Sequence, residues 1–240
     1  MTAAASLHAP RRGKFITLEG GEGAGKSTQI RHILQKLESA GIGAIATREP
    51  GGSPRAEALR NLLLSGAVAP LGVAAEALIF SAARIDHLDH TIRPALAAGT
   101  WVVCDRFSDS TRAYQGALGN LDPRLIAALE TVAVGDDKPD LTLILDIAPA
   151  IGLARAHARR RPDEPVDRFE GEALAFHEAL RATFRDIAAS EPGRCVVVDA
   201  AGARETVAEA VWLAIETRLL SARQRAKARG LRLARTEQAP

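Results

Sequence analysis

Residues 15–28 read Phe15-Ile16-Thr17-Leu18-Glu19-Gly20-Gly21-Glu22-Gly23-Ala24-Gly25-Lys26-Ser27-Thr28. An apolar run that suits a buried strand, 15–19, leads into a glycine-rich turn. The turn leads into a helix-forming stretch, 27–40. From Gly20 to Thr28 the chain fits the G-x-x-x-x-G-K-[ST] phosphate loop. Glycines let the backbone bend tightly and aim successive N–H groups at one anion, and the next helix adds its dipole. Lys26 can reach the β- and γ-phosphates of a nucleoside triphosphate, and the Ser27 hydroxyl can ligate Mg²⁺. Glycines alone could mark only a flexible turn. The flanking strand and helix patterns make Gly20, Gly21, Glu22, Gly23, Ala24, Gly25, Lys26, Ser27 and Thr28 a nucleotide site.

Working outward, four more strand-like segments alternate with helical ones. The strands fall at 44–47, 101–105, 141–146 and 195–199. The helices fall near 27–40, 55–65, 74–98, 123–134, 149–160, 170–190 and 203–220. Near-continuous apolar strands imply a sheet covered on both faces. Alternation of this kind implies parallel strands with crossover helices, hence an α/β fold with a five-stranded parallel sheet. Ligands then gather at the carboxyl ends of the strands. Arg48 and the pair Asp105-Arg106 fall there. One domain is expected over 14–220, after an N-terminal lead, 1–13, expected to be disordered. The charged, proline-bearing stretch around 159–168 reads as a lid over the site.

The 240 residues are 47% hydrophobic and 25% charged, ample for a packed core. No stretch approaches the roughly 18 apolar residues of a membrane span, and no signal-type apolar segment opens the chain. Cys104 and Cys195 both lie in strand segments and read as small buried residues, which fits a cytoplasmic location. Net charge is +2, but residues 221–240 carry six basic residues against one acidic, which leaves 1–220 at −3. An acidic body with a basic tail does not suit a nucleic-acid-binding domain. His87 and His90 stand three apart on one helix and could suggest a metal pair. No cysteine or third histidine joins them, and they read as polar-face residues.

A GTPase would need D-x-x-G after the third strand, where this chain has Asp105-Arg106-Phe107-Ser108. Its Asp137-Lys138-Pro139-Asp140 precedes a strand, so a guanine-reading Asp there would point the wrong way. An arginine directly after the strand-end carboxylate suits phosphoryl transfer between two bound nucleotides. An acceptor phosphate needs several cations, preferably forked guanidinium groups. Arg48, Arg106 and the group Arg159-Arg160-Arg161 could converge to supply them.

The chain resembles the thymidylate kinases. Thr47-Arg48-Glu49-Pro50-Gly51-Gly52 is similar to their T-R-E-P-G-G signature. Asp105-Arg106-Phe107, with Ser110, Ala113, Tyr114, Gln115 and Gly116, is similar to their D-R-[YH]-x-x-S-x-x-A-Y-Q-G segment. Phe80-Ser81-Ala82-Ala83-Arg84 matches F-x-A-x-R, and 139–146 matches P-D-L-x-x-x-L-D. The likeness runs from about residue 14 to 220. It implies a phosphate-loop nucleoside monophosphate kinase fold with a lid, and transfer of the γ-phosphate of ATP to dTMP with Mg²⁺. On that likeness Phe80 stacks on the pyrimidine while Arg84, four residues on and on the same helix face, donates to thymine O4. Tyr114 packs where a ribose 2′-hydroxyl would sit. Ser110 and Gln115 lie near the base, and Arg48 and Arg106 hold the acceptor phosphate. Asp105 orients Mg²⁺ beside Ser27, and Glu22 bonds the acceptor's 3′-hydroxyl.

Two departures matter. Phe107 stands where the family often has Tyr or His. The phosphate loop has no arginine in its variable part, which fits the bacterial type, with the catalytic arginine in the lid. Arg160 is the residue taken for that role, beside Lys26, Arg106 and Asp105. Pro50 is expected to follow a cis bond in a substrate-facing turn. The apolar helix stretch 73–80 exceeds what one sheet contact can bury, and with the likeness it implies a homodimer. A phosphate-loop kinase of another monophosphate or a deoxynucleoside, and a nucleotide-binding module without turnover, are the competing readings.

Overall fold

The structure is a computed structural model that describes residues 12–159, 171–222, 224 and 225. Five parallel strands, β1 (Phe15–Glu19), β2 (Ala44–Arg48), β3 (Trp101–Asp105), β4 (Leu141–Asp146) and β5 (Cys195–Asp199), lie in the order β2-β3-β1-β4-β5. The phosphate-loop strand is therefore central. The crossover that leaves β1 and the one that leaves β3 run to opposite sides, and a crevice opens between their carboxyl ends.

Alternation along β1 assigns its residues to two layers. Ile16 and Leu18 pack with α1 (Lys26–Ser39) and α9 (Arg204–Arg218) through Ile30, Ile33, Val207, Val211 and Trp212. Phe15 faces the other way, its ring edge-on to Phe107 at 4.9 Å. Thr17 shares that face and meets Thr142 of β4 hydroxyl to hydroxyl at 2.8 Å. Glu19, next on the same face, reaches the segment after β3. A further cluster packs Leu180, Phe184 and Ile187 of α8 (Leu174–Ser190) under Ile144. Cys104 and Cys195 are both buried and free.

The strands fall where the sequence places them, with β2 one residue longer. The expected single helix over 74–98 is instead α3 (Val73–His87), a wider π-type turn (Leu88–Ile92) and α4 (Arg93–Ala97). Pro94 explains the break, because it lacks the N–H an uninterrupted helix needs. A helical segment that the sequence reading omits follows β3: α5 (Ser108–Thr111) runs into a π-type turn (Arg112–Leu118). The remaining helices are α2 (Pro54–Leu64), α6 (Pro123–Ala133) and α7 (Pro149–Arg159). The N-terminal lead up to residue 11, most of the lid stretch (160–168) with Arg160 and Arg161, and the tail from 226 lie outside the described residues. Arg12 and Gly13 are held, by Asp137 at 2.8 Å and by the Leu96 carbonyl at 2.8 Å.

Candidate active site

The glycine turn is shaped by what it must pass. A side chain on Gly23, at φ 65°, would put its Cβ 1.8 Å from the Gly152 carbonyl oxygen, so the loop sits directly on α7. Gly25, at φ 92°, caps α1, and Lys26 is the first helical residue. Lys26 folds back to donate to the Gly20 and Gly21 carbonyls, both at 3.0 Å. Burial, with Arg106 nearby, lowers its pKa. The Ser27 hydroxyl donates to the Asp105 carboxylate at 3.2 Å, which joins the start of α1 to the end of β3.

After Asp105 the chain turns sharply, and Arg106 takes a left-handed backbone (φ 67°), a costly state for a side-chain-bearing residue. Contacts on every side hold it there. Its N–H donates to the Leu18 carbonyl at 2.9 Å. The next N–H, of Phe107, donates to Glu19 at 2.7 Å. The guanidinium donates to Glu22 at 2.7 Å and to Ser110 at 3.3 Å, and lies 5.3 Å from the centre of the Tyr114 ring. Burial opposes its charge, but the neighbouring carboxyl groups of Glu22, Glu19 and Asp105 outweigh burial and hold Arg106 protonated. Burial likewise raises the Glu22 carboxyl, yet Arg106 and Lys26 win and its pKa is lowered.

These groups line one end of a cleft of about 260 Å³. Its other end is built from the loop after β2 and the inner face of α3. Glu49–Pro50 is cis, and the Pro50 carbonyl accepts from Arg60 at 2.7 Å. Arg48 lines the cleft, half exposed, and donates to Glu57 at 3.0 Å. Phe80 and Arg84 both line it, as their spacing requires. Arg84 is buried, 5.1 Å from the centre of the Phe107 ring, and donates to Glu49 at 2.8 Å and to Thr111 at 3.2 Å. Tyr114 and Gln115 line the wall from the π-type turn. Tyr114 leans on Phe176 and Phe184, with ring centres 6.2 and 6.5 Å away.

The cleft thus gathers every predicted residue from Glu22 to Ser27, together with Arg48, Pro50, Phe80, Arg84, Asp105, Arg106, Ser110, Tyr114 and Gln115. Gly20 and Gly21 lie behind it, where the Lys26 ammonium is seated. Arg159 also reaches the cleft, whereas Arg155 is held on the Ala200 and Ala201 carbonyls, both at 2.9 Å. His87 departs from the polar-face reading: it is fully buried, bonded to Thr47 at 2.7 Å and to Glu49 at 3.0 Å. His90 bonds the Asp86 carbonyl instead, so the two rings serve different partners. The sequence reading misses Glu19, Thr111 and His87.

The oxygen donors Ser27 and Asp105 suit a hard cation such as Mg²⁺. Magnesium is ordinarily held by one or two protein oxygens plus substrate phosphates, so a pair of this kind at the mouth of a phosphate loop fits it. A phosphate cradle, buried guanidinium groups and a flat aromatic-lined wall in one cleft can bind two nucleotides end to end.

A family model described as thymidylate kinase matches residues 18–211. Among curated proteins, a thymidylate kinase of Bradyrhizobium diazoefficiens is 56% identical over 220 residues, covering 92% of this chain and 96% of the relative. One of Nitrobacter hamburgensis is 56% identical over 222 residues, covering 92% and 96%. One of Rhodopseudomonas palustris is 59% identical over 210 residues, covering 87% and 91%.

Proposed function

The chain belongs to the thymidylate kinase family, and on that premise we propose that it transfers the γ-phosphoryl group of ATP to dTMP, giving dTDP and ADP. One observation carries the choice of a phosphorylated acceptor. Glu49 is the carboxylate after β2 that a nucleoside kinase would need as a base, and both its oxygens are engaged, by Arg84 and by His87. A monophosphate acceptor needs no base, because its phosphate is already anionic near neutral pH. Catalysis then rests on alignment and charge.

In this reading the phosphate-loop N–H groups hold the β- and γ-phosphates of ATP. Lys26 gives up its loop carbonyls to follow the phosphoryl group. Arg106 and Arg48 exchange Glu22 and Glu57 for the acceptor phosphate, and Glu22, so released, takes the 3′-hydroxyl. An acceptor oxygen forms the new bond to the γ-phosphorus as the bond to the ADP oxygen breaks. Ser27 and Asp105 would hold Mg²⁺, which would supply positive charge against the phosphates. Phe80 stacks on the base, Arg84 meets O4, and Tyr114 fills the space of a 2′-hydroxyl. Gln115 and Ser110 close the wall, and a lid arginine, Arg160 by sequence, completes the charge.

Two copies pair through an apolar face of α3 and α6, where Leu78 and Val132 are 54% and 77% exposed, with Leu71, just before α3, at 70%. Buried free thiols fit a reducing, cytoplasmic setting. No helix among the described residues is long and apolar enough to cross a membrane. Domain limits of 14–220, with a lid and a basic tail, complete the proposal. Incubating the purified chain with ATP, Mg²⁺ and dTMP tests it by mass detection of products. Equal dTDP and ADP supports the reading, and ADP without dTDP sinks it.

A further inference from the structure

Behind Arg84 lies a buried chain of polar contacts that the transfer itself does not use. Thr47 meets Nε2 of His87 at 2.7 Å, and Nδ1 of His87 meets one oxygen of Glu49 at 3.0 Å. The other oxygen of Glu49 accepts from Nε of Arg84 at 2.8 Å, and Nη2 of Arg84 donates to Thr111 at 3.2 Å. The side chains of His87, Glu49 and Arg84 are 0%, 5% and 4% exposed. A carboxylate has no hydrogen to give, so Nδ1 carries the proton and donates to Glu49. The loop is pressed onto this chain: a Cβ on Gly52 would lie 2.3 Å from Nε2 of His87 and 2.5 Å from the Thr47 hydroxyl. His87 itself does not line the cleft, whereas Glu49, Arg84 and Thr111 do.

We propose that His87 is a positioning residue for base selection: by occupying one oxygen of Glu49, it leaves Arg84 tied to the other through Nε alone, with Nη1 kept for the acceptor base. Nη1 has no hydrogen-bond partner among the described residues. Arginine and carboxylate otherwise prefer a bidentate pair, two parallel N–H···O bonds. A buried carboxylate oxygen without a partner is costly, and Nη1 of the same guanidinium is the Arg84 donor with no partner among the described residues. Without the His87 proton the guanidinium rotates onto Glu49, and the cleft loses its donor to a 4-oxo base. The histidine therefore acts through Glu49 on which base is accepted, not on the phosphates.

This inference rests on the reading of Arg84 as the group that meets the base, and the controls test that reading separately. The full chain is assayed with dTMP, dUMP and dCMP. His87→Phe keeps a planar ring but has no donor. The kcat/KM ratio of dTMP to dCMP is expected to fall about tenfold or more, because a site built to hydrogen-bond one group discriminates through that bond. The dTMP KM rises by more than kcat falls. The dTMP to dUMP ratio holds, since both bases carry the 4-oxo group. His87→Asn, whose amide N–H can sit near the place of Nδ1, restores most of the dTMP to dCMP ratio. Should His87→Phe fail to fold, His87→Gln serves, because its amide lies nearer the Nε2 place and does not replace the lost donor. A folded variant with the wild-type ratio, or one in which both ratios fall together, overturns the proposal. Turnover of dTMP by the unaltered chain, together with a lowered dTMP to dCMP ratio in Arg84→Met, establishes the underlying reading. If Arg84→Met leaves the ratio alone, Arg84 does not read the base and the role of His87 falls with it.

Discussion

Glu19 accepts the backbone N–H of Phe107 at 2.7 Å, and this contact across the sheet fixes the peptide that follows the left-handed Arg106. Its second oxygen takes the Ser110 hydroxyl at 2.7 Å, and Ser110 in turn touches the Arg106 guanidinium. The last residue of β1 thus holds both sides of the arginine that follows β3. The register makes this possible: Leu18 stands beside Asp105, and Arg106 N–H continues the ladder to the Leu18 carbonyl.

Glu19 gives the protein a pH signature. Burial, with Asp109 adding to it, raises the Glu19 carboxyl from 4.5 to about 7. A carboxyl raised on folding contributes stability that is present below its unfolded value and lost as pH rises through its folded value. Relative to Glu19→Gln, which cannot ionise, wild type should lose up to roughly 3 kcal/mol of unfolding free energy between about pH 4.5 and 7, and little more above that. Urea unfolding of both proteins across that range checks it. Parallel stability curves would remove the assignment.

Tyr114 should govern the sugar. Burial pushes its phenol up to about 12, so it stays neutral throughout an assay range. Its ring is set by Phe176, Phe184 and Arg106. Tyr114→Leu opens the space beneath the sugar and should lower the preference for dTMP over its ribose counterpart about tenfold, the scale of a lost steric and packing contact. Steady-state kinetics with both acceptors measures it, and an unchanged preference would move the sugar elsewhere in the cleft.

Much of this site was readable in advance, and the unread part has one cause. The phosphate loop, Asp105-Arg106 and the pair Phe80/Arg84 are local signals, carried by spacing within one element. Glu19, Thr111 and His87 matter through partners 88, 27 and 38 residues away. Nothing in a strand's last residue or a helical histidine announces such a partner. The helix after β3 was missed for a related reason. Ser108–Thr111 carries no apolar residue, and the Arg194 guanidinium, donating to Asp109 at 2.7 and 2.8 Å, holds it. The break near Pro94 is a local signal, legible from the proline itself.

One lid arginine should act on the rate alone. Arg159 lines the cleft, and Arg155 is occupied by two carbonyls. Alanine changes at Arg159, Arg160 and Arg161 should include one that lowers kcat on the order of 10³-fold with little change in dTMP KM. The other two should give small, salt-sensitive effects. Near-normal kcat in the triple variant would exclude this stretch as the source of the charge.

The exposed apolar residues of α3 and α6 predict association. Sedimentation at micromolar concentration should find a dimer, and Leu78→Asp should give a monomer, since a charge there would be buried without a partner. A wild-type monomer would contradict the interface.

Phosphoryl transfer to a thymine monophosphate is read by coupled ADP release. Wild type is assayed with dTMP, UMP, dCMP and thymidine at equal concentrations, with folded Lys26→Ala in parallel. ADP release should be rapid with dTMP, far slower with UMP and dCMP, and no faster than background with thymidine. Lys26→Ala should lose at least about 10²-fold, as expected when a charge acting on the transferring group is removed. Equal rates with and without dTMP, a faster rate with thymidine, or turnover retained in Lys26→Ala would contradict this transfer.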